Sequence, residues 1–197
     1  TNCTLIDTDG DALSDYYEIF VSETSPVNQD TDGDTVDDWD ELFYYFSDPN
    51  NKDTDGDLLD DGEEAFTYYT DLNNTDTDGD TLNDYDEIMV FETDALSPDT
   101  DGDGLTDAEE LNIYNTDPLR EDTDSDRLLD SQEVAIGTNP RKKDTDLDGL
   151  TDFQENNQTL TDPLKYSTED DGISDADRDG DGDLLTNLQE ITLTKTD

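Results

Sequence analysis

Acidic side chains recur along this chain at one fixed spacing. In the segment that begins at Asp99, carboxylates stand at positions 1, 3, 5, 9 and 12, which are Asp99, Asp101, Asp103, Asp107 and Glu110. A 12-residue calcium loop of the EF-hand type has this pattern, because Ca²⁺ takes about six to eight oxygen ligands. A Glu at position 12 can supply two of them, and position 7 supplies a backbone carbonyl. The spacing therefore predicts a calcium-binding loop.

The frame occurs eight times and defines repeats 1 to 8. Its first residues are Asp7, Asp30, Asp53, Asp76, Asp99, Asp122, Asp144 and Asp179. The first seven starts are 23 residues apart, except for a last interval of 22, and the eighth follows 35 residues after the seventh. This phase predicts one structural unit repeated along the chain, each copy packing on its neighbours.

The predicted metal ligands are the residues at positions 1, 3, 5, 7, 9 and 12 of each loop. Repeats 1 to 4 supply Asp7, Asp9, Asp11, Leu13, Asp15, Glu18, Asp30, Asp32, Asp34, Val36, Asp38, Glu41, Asp53, Asp55, Asp57, Leu59, Asp61, Glu64, Asp76, Asp78, Asp80, Leu82, Asp84 and Glu87. Repeats 5 to 8 supply Asp99, Asp101, Asp103, Leu105, Asp107, Glu110, Asp122, Asp124, Asp126, Leu128, Asp130, Glu133, Asp144, Asp146, Asp148, Leu150, Asp152, Glu155, Asp179, Asp181, Asp183, Leu185, Asn187 and Glu190. Position 7 is always Leu or Val, so we expect its side chain to point inward and anchor the loop to a thin core.

A degenerate half-site, residues 167–178, separates repeats 7 and 8. It keeps acidic residues at positions 3, 5 and 9 but has Arg178 at position 12, where the other loops have Glu. Two outcomes are open for this half-repeat. It either holds no ion or shares one with repeat 8 through Asp175, Asp177 and Asp179.

The charge of the chain requires a counter-ion. Acidic residues number 59 and basic residues 9, which gives a formal charge of −50 with only 29% apolar residues. Self-repulsion on this scale prevents a compact fold, so we expect the metal-free chain to be unfolded or molten. About eight calcium ions, one for each full loop, are predicted to bind as the chain folds. With no His and the single Cys3, the sequence offers neither a usual zinc site nor an internal disulfide.

Each loop is followed by a short apolar stretch and a stop signal. Residues such as Ile88, Met89 and Val90 predict about two turns of helix that begin near position 9. A Ser or Thr then precedes Asp or Asn and often Pro, which ends a helix. The predicted fold is a calcium-stabilised elongated repeat array, solenoid-like, with EF-hand-type loops each followed by a short α-helix and little or no sheet. Residues 1–197 are predicted to form a single array of about eight repeats.

The Asp-Thr-Asp-Gly-Asp frame with its Leu, Asp and Glu, closed by Thr-Asp-Pro, resembles the bacterial thrombospondin type 3 repeat. The loop-plus-helix unit is also similar to that of dockerins. The resemblance covers residues 7–190 and implies an extracellular, calcium-dependent, rod-like spacer without catalysis. In one respect the chain differs, because only Gly104 and Gly149 provide the glycine that EF-hand loops have at position 6.

Together these features predict a structural rod, either the shaft of a surface adhesin or a subunit of an extracellular fibril, secreted or displayed at the cell surface. Its expected partners are copies of itself in a linear assembly, neighbouring domains of a longer chain, or glycans. The alternative is a dockerin-like, calcium-dependent protein- or glycan-binding module. A polyanion is not expected to bind nucleic acid, and no apolar stretch is long enough for membrane insertion. No enzymatic activity is expected.

Two further features bear on contacts with other molecules. Of the 16 aromatic residues, 13 lie before residue 100, so they form either a contact surface or part of the core. Three sequons place possible glycosylation sites at Asn2, Asn73 and Asn157. All three fall between loops, where a glycan would leave the predicted metal sites accessible.

Overall fold

The computed structural model describes residues 6–194, and for residue 194 the description covers the backbone alone. The predicted glycosylation site at Asn2 and the single Cys3 lie outside the described residues. Contacts group the chain into two compact units that divide between Pro98 and Asp99. The first unit contains repeats 1 to 4, and the second contains repeats 5 to 8 with the half-repeat 167–178.

A short helical segment starts at position 9 of each full repeat. In six repeats one α-helical turn continues into a π-helical turn: Asp15–Tyr17 and Glu18–Ser22, Asp38–Asp40 and Glu41–Tyr45, Asp61–Glu63 and Glu64–Tyr68, Asp84–Asp86 and Glu87–Phe91, Asp107–Glu109 and Glu110–Tyr114, Asp152–Gln154 and Glu155–Thr159. The other two are continuous α-helices, Asp130–Ile136 and Asn187–Thr194. Residues 6–194 contain no β-strand. The predicted array of loop-helix units with little sheet is thus confirmed.

The residue at position 8 lies immediately before each helix. Its backbone is extended, and in several repeats its side chain accepts a hydrogen bond from the N–H three residues later, as Asn83 does from Asp86 at 2.7 Å and Thr106 from Glu109 at 3.2 Å. This is N-capping, which satisfies one of the free N–H groups at a helix start. The predicted helix start near position 9 is confirmed.

The end of each helix was not foreseen in detail. In repeat 2 the Glu41 carbonyl accepts the N–H of Phe46, which encloses one residue more than an α-helical turn, and also the N–H of Ser47 at 3.1 Å. Phe46 before it takes a left-handed conformation, with φ 61°. Repeat 6 has one residue fewer between its Glu and its Thr, so its helix stays α-helical and ends at Gly137, with φ 89°. The insertion of one residue explains the π-helical turn.

The apolar core is thin and is built mainly from position 7. Leu13, Val36, Leu59 and Leu150 are buried, which confirms the inward direction predicted for these side chains. In the second unit Leu150 packs with Ala176 and Ile191. Most other buried side chains are acidic or hydroxylic. No helix in the described part of the chain combines the length and apolar character needed to cross a membrane.

Position 6 turns sharply whatever residue occupies it. The φ angle is positive at Ala12, Thr35, Leu58, Thr81, Arg127 and Leu184 as well as at Gly104 and Gly149. For a residue with a side chain this conformation costs about 1–2 kcal/mol. The missing glycines therefore leave the turn unchanged and add strain to it.

Candidate metal centres

The loop folds its first three carboxylates toward one point, as repeat 3 illustrates. Asp53 accepts hydrogen bonds from the N–H groups of Gly56 at 2.7 Å and Leu58 at 3.2 Å. Asp55 accepts from the Asp57 N–H at 3.1 Å, and Asp57 from the Leu59 N–H at 2.7 Å. These bonds fix the side chains, and one oxygen from each of the three aspartates lies within 4.8 Å of the others.

The short helix places the Glu of position 12 beneath the loop. All seven such residues from Glu18 to Glu155 are fully buried. In repeat 3 one oxygen of Glu64 accepts the Thr70 hydroxyl at 3.0 Å, and the other, Oε2, has no hydrogen-bond partner. Oε2 is likewise unpartnered in Glu41, Glu87, Glu110, Glu133 and Glu155, and Oδ2 is unpartnered in Asp55, Asp101, Asp124 and Asp146 at position 3. Such oxygens are costly unless a cation meets them.

The pKa values of these buried carboxyl groups are raised, because their charged forms are unfavourable. Burial, followed by repulsion from the carboxylates at positions 3 and 5, raises the pKa of Glu41 to about 9 and that of Glu64 to about 8. Burial also raises the pKa of Asp55 and Asp101, at position 3, to about 6. A divalent ion would offset both the lost hydration and the repulsion. The donor set is all oxygen, so the residues present fit calcium.

The Asp of position 9 joins two repeats. Asp61 accepts both the N–H and the hydroxyl of Thr54, each at 2.7 Å. It also reaches the preceding repeat, where one oxygen each of Asp34, Glu41 and Asp61 lie within 4.8 Å of one another. The same arrangement joins Asp38 to Asp11 and Glu18. The sequence assigned position 9 to its own loop, whereas the structure brings it to the cluster of the preceding repeat.

A backbone hydrogen bond reinforces this junction. The N–H of position 10 donates to the position-5 carboxylate of the preceding repeat. The pairs are Gly62 with Asp34 at 3.1 Å, Ser131 with Asp103 at 2.8 Å, Phe153 with Asp126 at 2.9 Å and Ala176 with Asp148 at 3.0 Å. Each cluster in these pairs is therefore completed by the repeat that follows it.

Two kinds of hydroxyl residue support the clusters, and the sequence analysis did not identify them. Position 2 is Thr in repeats 1 to 7, and its hydroxyl donates to the Asp of position 9, as Thr123 does to Asp130 at 2.6 Å. In repeats 2 to 7 the Ser or Thr before the turn donates to the Glu of position 12, as Thr116 does to Glu110 at 3.0 Å. Their regular recurrence was the available signal, but the Ser or Thr before the turn was interpreted as turn chemistry alone, and the Thr of position 2 was given no role.

Repeat 8 is more open than the others. Asp179, Asp181 and Asp183 are exposed, although Asp179 makes the usual bonds to the N–H groups of Gly182 at 2.7 Å and Leu184 at 3.0 Å. In the half-repeat Asp175 is fully buried and is approached by Arg178. An ion shared by Asp175, Asp177 and Asp179 stays a prediction.

These features define an acidic loop-helix repeat protein with buried carboxylate clusters. Residues 99–121, 122–143 and 144–165 each match the family described as the bacterial TSP3 repeat. These three tandem matches confirm, for residues 99–165, the resemblance seen in the sequence. The many acidic clusters agree with the calcium-binding character of such repeats.

Two solved structures are similar to a short segment of the chain. The B domain of a biofilm associated protein is 43% identical over 22% of this chain and 11% of that chain, with a TM-score of 0.22. The BSP domain of a biofilm associated protein is 45% identical over 22% of this chain and 8% of that chain, with a TM-score of 0.22. The aligned part is thus about a tenth of the length of those chains. No curated protein matches the chain.

Proposed function

We propose that this chain is a structural calcium-binding segment of a secreted or cell-surface protein, either the shaft of an adhesin or a subunit of an extracellular fibril. The observation that carries the proposal is the buried, unpartnered carboxylate oxygen at position 12 of successive repeats. A fold built around such oxygens requires a cation at each repeat. About eight Ca²⁺ ions are proposed, one for each full loop.

Calcium at these sites would stiffen the chain as well as fold it. The clusters draw ligands from adjacent repeats, as the grouping of Asp34, Glu41 and Asp61 illustrates. An ion held there would restrain one repeat against the next. Extracellular calcium modules bind in roughly the 0.1–1 mM range, which supports an extracellular location. Neighbouring domains or further copies of the chain are the proposed partners, with no catalytic role.

Calcium-dependent folding is tested by circular dichroism and small-angle scattering of the chain in EDTA and during calcium titration. We expect an expanded coil in EDTA and a helical, more compact chain at millimolar calcium, with little effect of magnesium. Glu64→Gln removes a proposed ligand and should raise the calcium concentration needed for folding. Glu63→Gln removes the same charge from an exposed neighbour and should not. An expanded coil at every calcium concentration would refute the proposal.

A glycan-binding module is the second candidate, favoured by one surface groove in the first unit. The groove has a volume of about 280 Å³ and is lined by Tyr44, Tyr45 and Tyr69 beside Asp71 and Asn73. Tyr44 and Tyr69 are largely exposed. Aromatic rings flanked by carboxylate and amide groups suit a neutral sugar, whereas the charge of the chain disfavours an anionic one.

The repeats provide a matched test of this groove. Thr67 and Glu92 occupy the places in the next repeat that correspond to Tyr44 and Tyr69. The double variant Tyr44→Thr/Tyr69→Glu should therefore fold normally but lose binding to a glycan array. Phe20→Thr, which removes another exposed ring, should retain binding. Equal glycan binding by all variants would exclude the groove as the glycan-binding site. A glycan attached to Asn73 would block the groove, and mass spectrometry would detect it.

A further inference from the structure

The half-repeat 167–178 keeps the contacts that a repeat makes with its predecessor. The Thr168 hydroxyl donates to Asp175 at 2.6 Å and accepts the Asp162 N–H at 2.7 Å, as in the full repeats. The N–H of Ala176 donates to Asp148 of repeat 7 at 3.0 Å. Asp175 is fully buried. These residues match positions 2, 9 and 10 of a complete repeat.

The half-repeat lacks the features of a metal site of its own. Position 1 is Ser167 instead of Asp, and position 12 is Arg178 instead of Glu. No helix follows position 9. Its remaining acidic residues therefore have no Glu to complete a loop site.

Arg178 brings a positive charge to those acidic residues. Its guanidinium lies 2.9 Å from Asp171, 3.5 Å from Glu169 and 3.7 Å from Asp175, measured between nitrogen and carboxylate oxygen. These residues occupy positions 5, 3 and 9. The side chains of Arg178 and Asp175 are 19% and 0% exposed, so water screens this pair weakly, whereas Glu169 and Asp171 are 69% and 42% exposed.

Repeat 7 has buried carboxylate oxygens that lack hydrogen-bond partners. Glu155 is fully buried, and its Oε2 has no hydrogen-bond partner. Oδ2 of Asp146 is also buried without a partner. In repeat 2 the equivalent cluster is closed by Asp61 of the next repeat. Asp175 holds that register position for repeat 7, next to the Ala176–Asp148 hydrogen bond.

Repeat 8 follows the half-repeat and differs from the other repeats at the same position. Its position 9 is Asn187, the one amide where all other repeats have Asp. Asn187 donates to the Asp175 carbonyl at 2.8 Å, and the Leu188 N–H donates to the Ala176 carbonyl at 3.1 Å. Neither contact involves a carboxylate. A repeat that follows a metal-free unit has no need of an acidic position 9.

We propose that residues 167–178 form a metal-free cap: Asp175 and Ala176 complete the calcium site of repeat 7, and the Arg178 guanidinium takes the place of the ion in the half-repeat itself. This inference rests on the calcium-binding function proposed above. It assigns Asp175 to the seventh site and leaves Asp177 without a ligand role.

The first test counts bound calcium in the full chain by native mass spectrometry. Asp175→Asn should lose one ion relative to the parent, because the seventh site loses a carboxylate. Asp177→Asn removes the same charge two residues away and should keep the full number. If both variants lose one ion, Asp175 and Asp177 share a site with repeat 8 and the cap is refuted. If neither does, Asp175 is not part of the seventh site.

The second test addresses Arg178 by hydrogen exchange at saturating calcium. Arg178→Met should accelerate amide exchange in residues 167–178, because three carboxylates lose their cation. Lys165→Met, which removes an exposed pair with Asp162 at 3.1 Å, is the matched control and should not. Unchanged exchange in Arg178→Met would overturn the role of the guanidinium. Protection of repeats 5 and 6 in the same spectra shows whether a variant has merely unfolded.

A gain of function completes the design. The double variant Ser167→Asp/Arg178→Glu restores positions 1 and 12 and should bind one ion more than the parent. An unchanged ion number in a folded variant would contradict the idea that Arg178 replaces an ion. If the parent itself binds no calcium, the proposed function is refuted. If the parent binds calcium but the variants do not change ion number or amide exchange as expected, only the metal-free cap is refuted.

Discussion

At the scale of single residues, hydroxyl groups orient the carboxylates that would hold calcium. The spacing of the acidic positions is that of a known loop, and the structure clusters positions 1, 3 and 5 in repeats 1 to 3. The role of these residues as metal ligands stays a prediction. The sequence did not show that the Thr70 hydroxyl donates to the Glu64 carboxylate, because the helix-ending turn already explains a Thr at this place. Side-chain hydrogen bonds between residues six apart depend on the helix ending, which the sequence left open.

Removing such a hydroxyl should weaken calcium binding. In Thr70→Val the buried Glu64 loses its 3.0 Å hydrogen bond, and loss of an outer-shell partner typically lowers metal affinity by about 10–100-fold. Calorimetric calcium titration should show one weakened site. Thr70→Ser keeps the hydroxyl and should bind nearly as the parent does. Equal affinities for the Val and Ser variants would contradict the orienting role.

Strain at position 6 leads to a second prediction. Leu58 is exposed and has φ 93°, so Leu58→Gly should relieve backbone strain and stabilise the fold. Part of this gain in stability is offset, because glycine increases the entropy of the unfolded chain. We expect up to about 1 kcal/mol of added stability in thermal unfolding at saturating calcium. The reverse change at position 6 of repeat 5, Gly104→Leu, should destabilise the fold, since Gly104 has φ 108°. Destabilisation by Leu58→Gly would show that its side chain contributes packing.

At the scale of elements, a repeat is a loop, a short helix and a turn that fit closely against the next copy. The helix start was predictable from position 8 and the acidic first turn. The π-helical end was not, because it depends on one extra residue between Glu and Thr, visible only when repeat 6 is compared with the others. The close approach between repeats was also not predictable from the sequence, since it depends on how the backbones of two successive repeats pack together.

Gly62 provides the sharpest test of that close approach. A Cβ at this residue would lie 2.0 Å from the Asp34 carbonyl oxygen, so Gly62→Ala should force repeats 2 and 3 apart. We expect a lower melting temperature and weaker calcium binding at the Asp34–Glu41–Asp61 cluster. Ser131→Ala, at the same position in repeat 6, loses one hydrogen bond but introduces no clash. A melting temperature unchanged in Gly62→Ala would show that the junction can widen freely.

At the scale of the whole chain, acidic residues replace much of the apolar core. The composition predicts that the fold depends on a counter-ion, because 29% apolar residues cannot offset a charge of −50. It did not predict which carboxylates would be buried most deeply. Burial of Glu41 and Glu64 arises from the helix that places them under the loop.

The effect of pH on folding should therefore be opposite in the absence of calcium and at saturating calcium. Without metal, the pKa of Glu41 is raised to about 9 and that of Glu64 to about 8, from about 4.3 in the unfolded chain. Their contribution to stability is complete below the unfolded pKa and is lost as pH rises through 8 to 9. In EDTA the helical signal should increase on acidification from pH 9 to 5. At saturating calcium it should decrease, because protons compete for the same oxygens; parallel trends would contradict the metal sites.

The junction between repeats also has a mechanical consequence. Where a position-10 N–H and a position-9 carboxylate contact the cluster of the preceding repeat, as between repeats 2 and 3, tension along the chain would load hydrogen bonds and ion contacts together. Rupture would then proceed one repeat at a time. Each opened unit of 23 residues would add up to roughly 80 Å of extended chain. Calcium would reset the unit once the force is released, so the segment would act as an extensible, self-repairing tether.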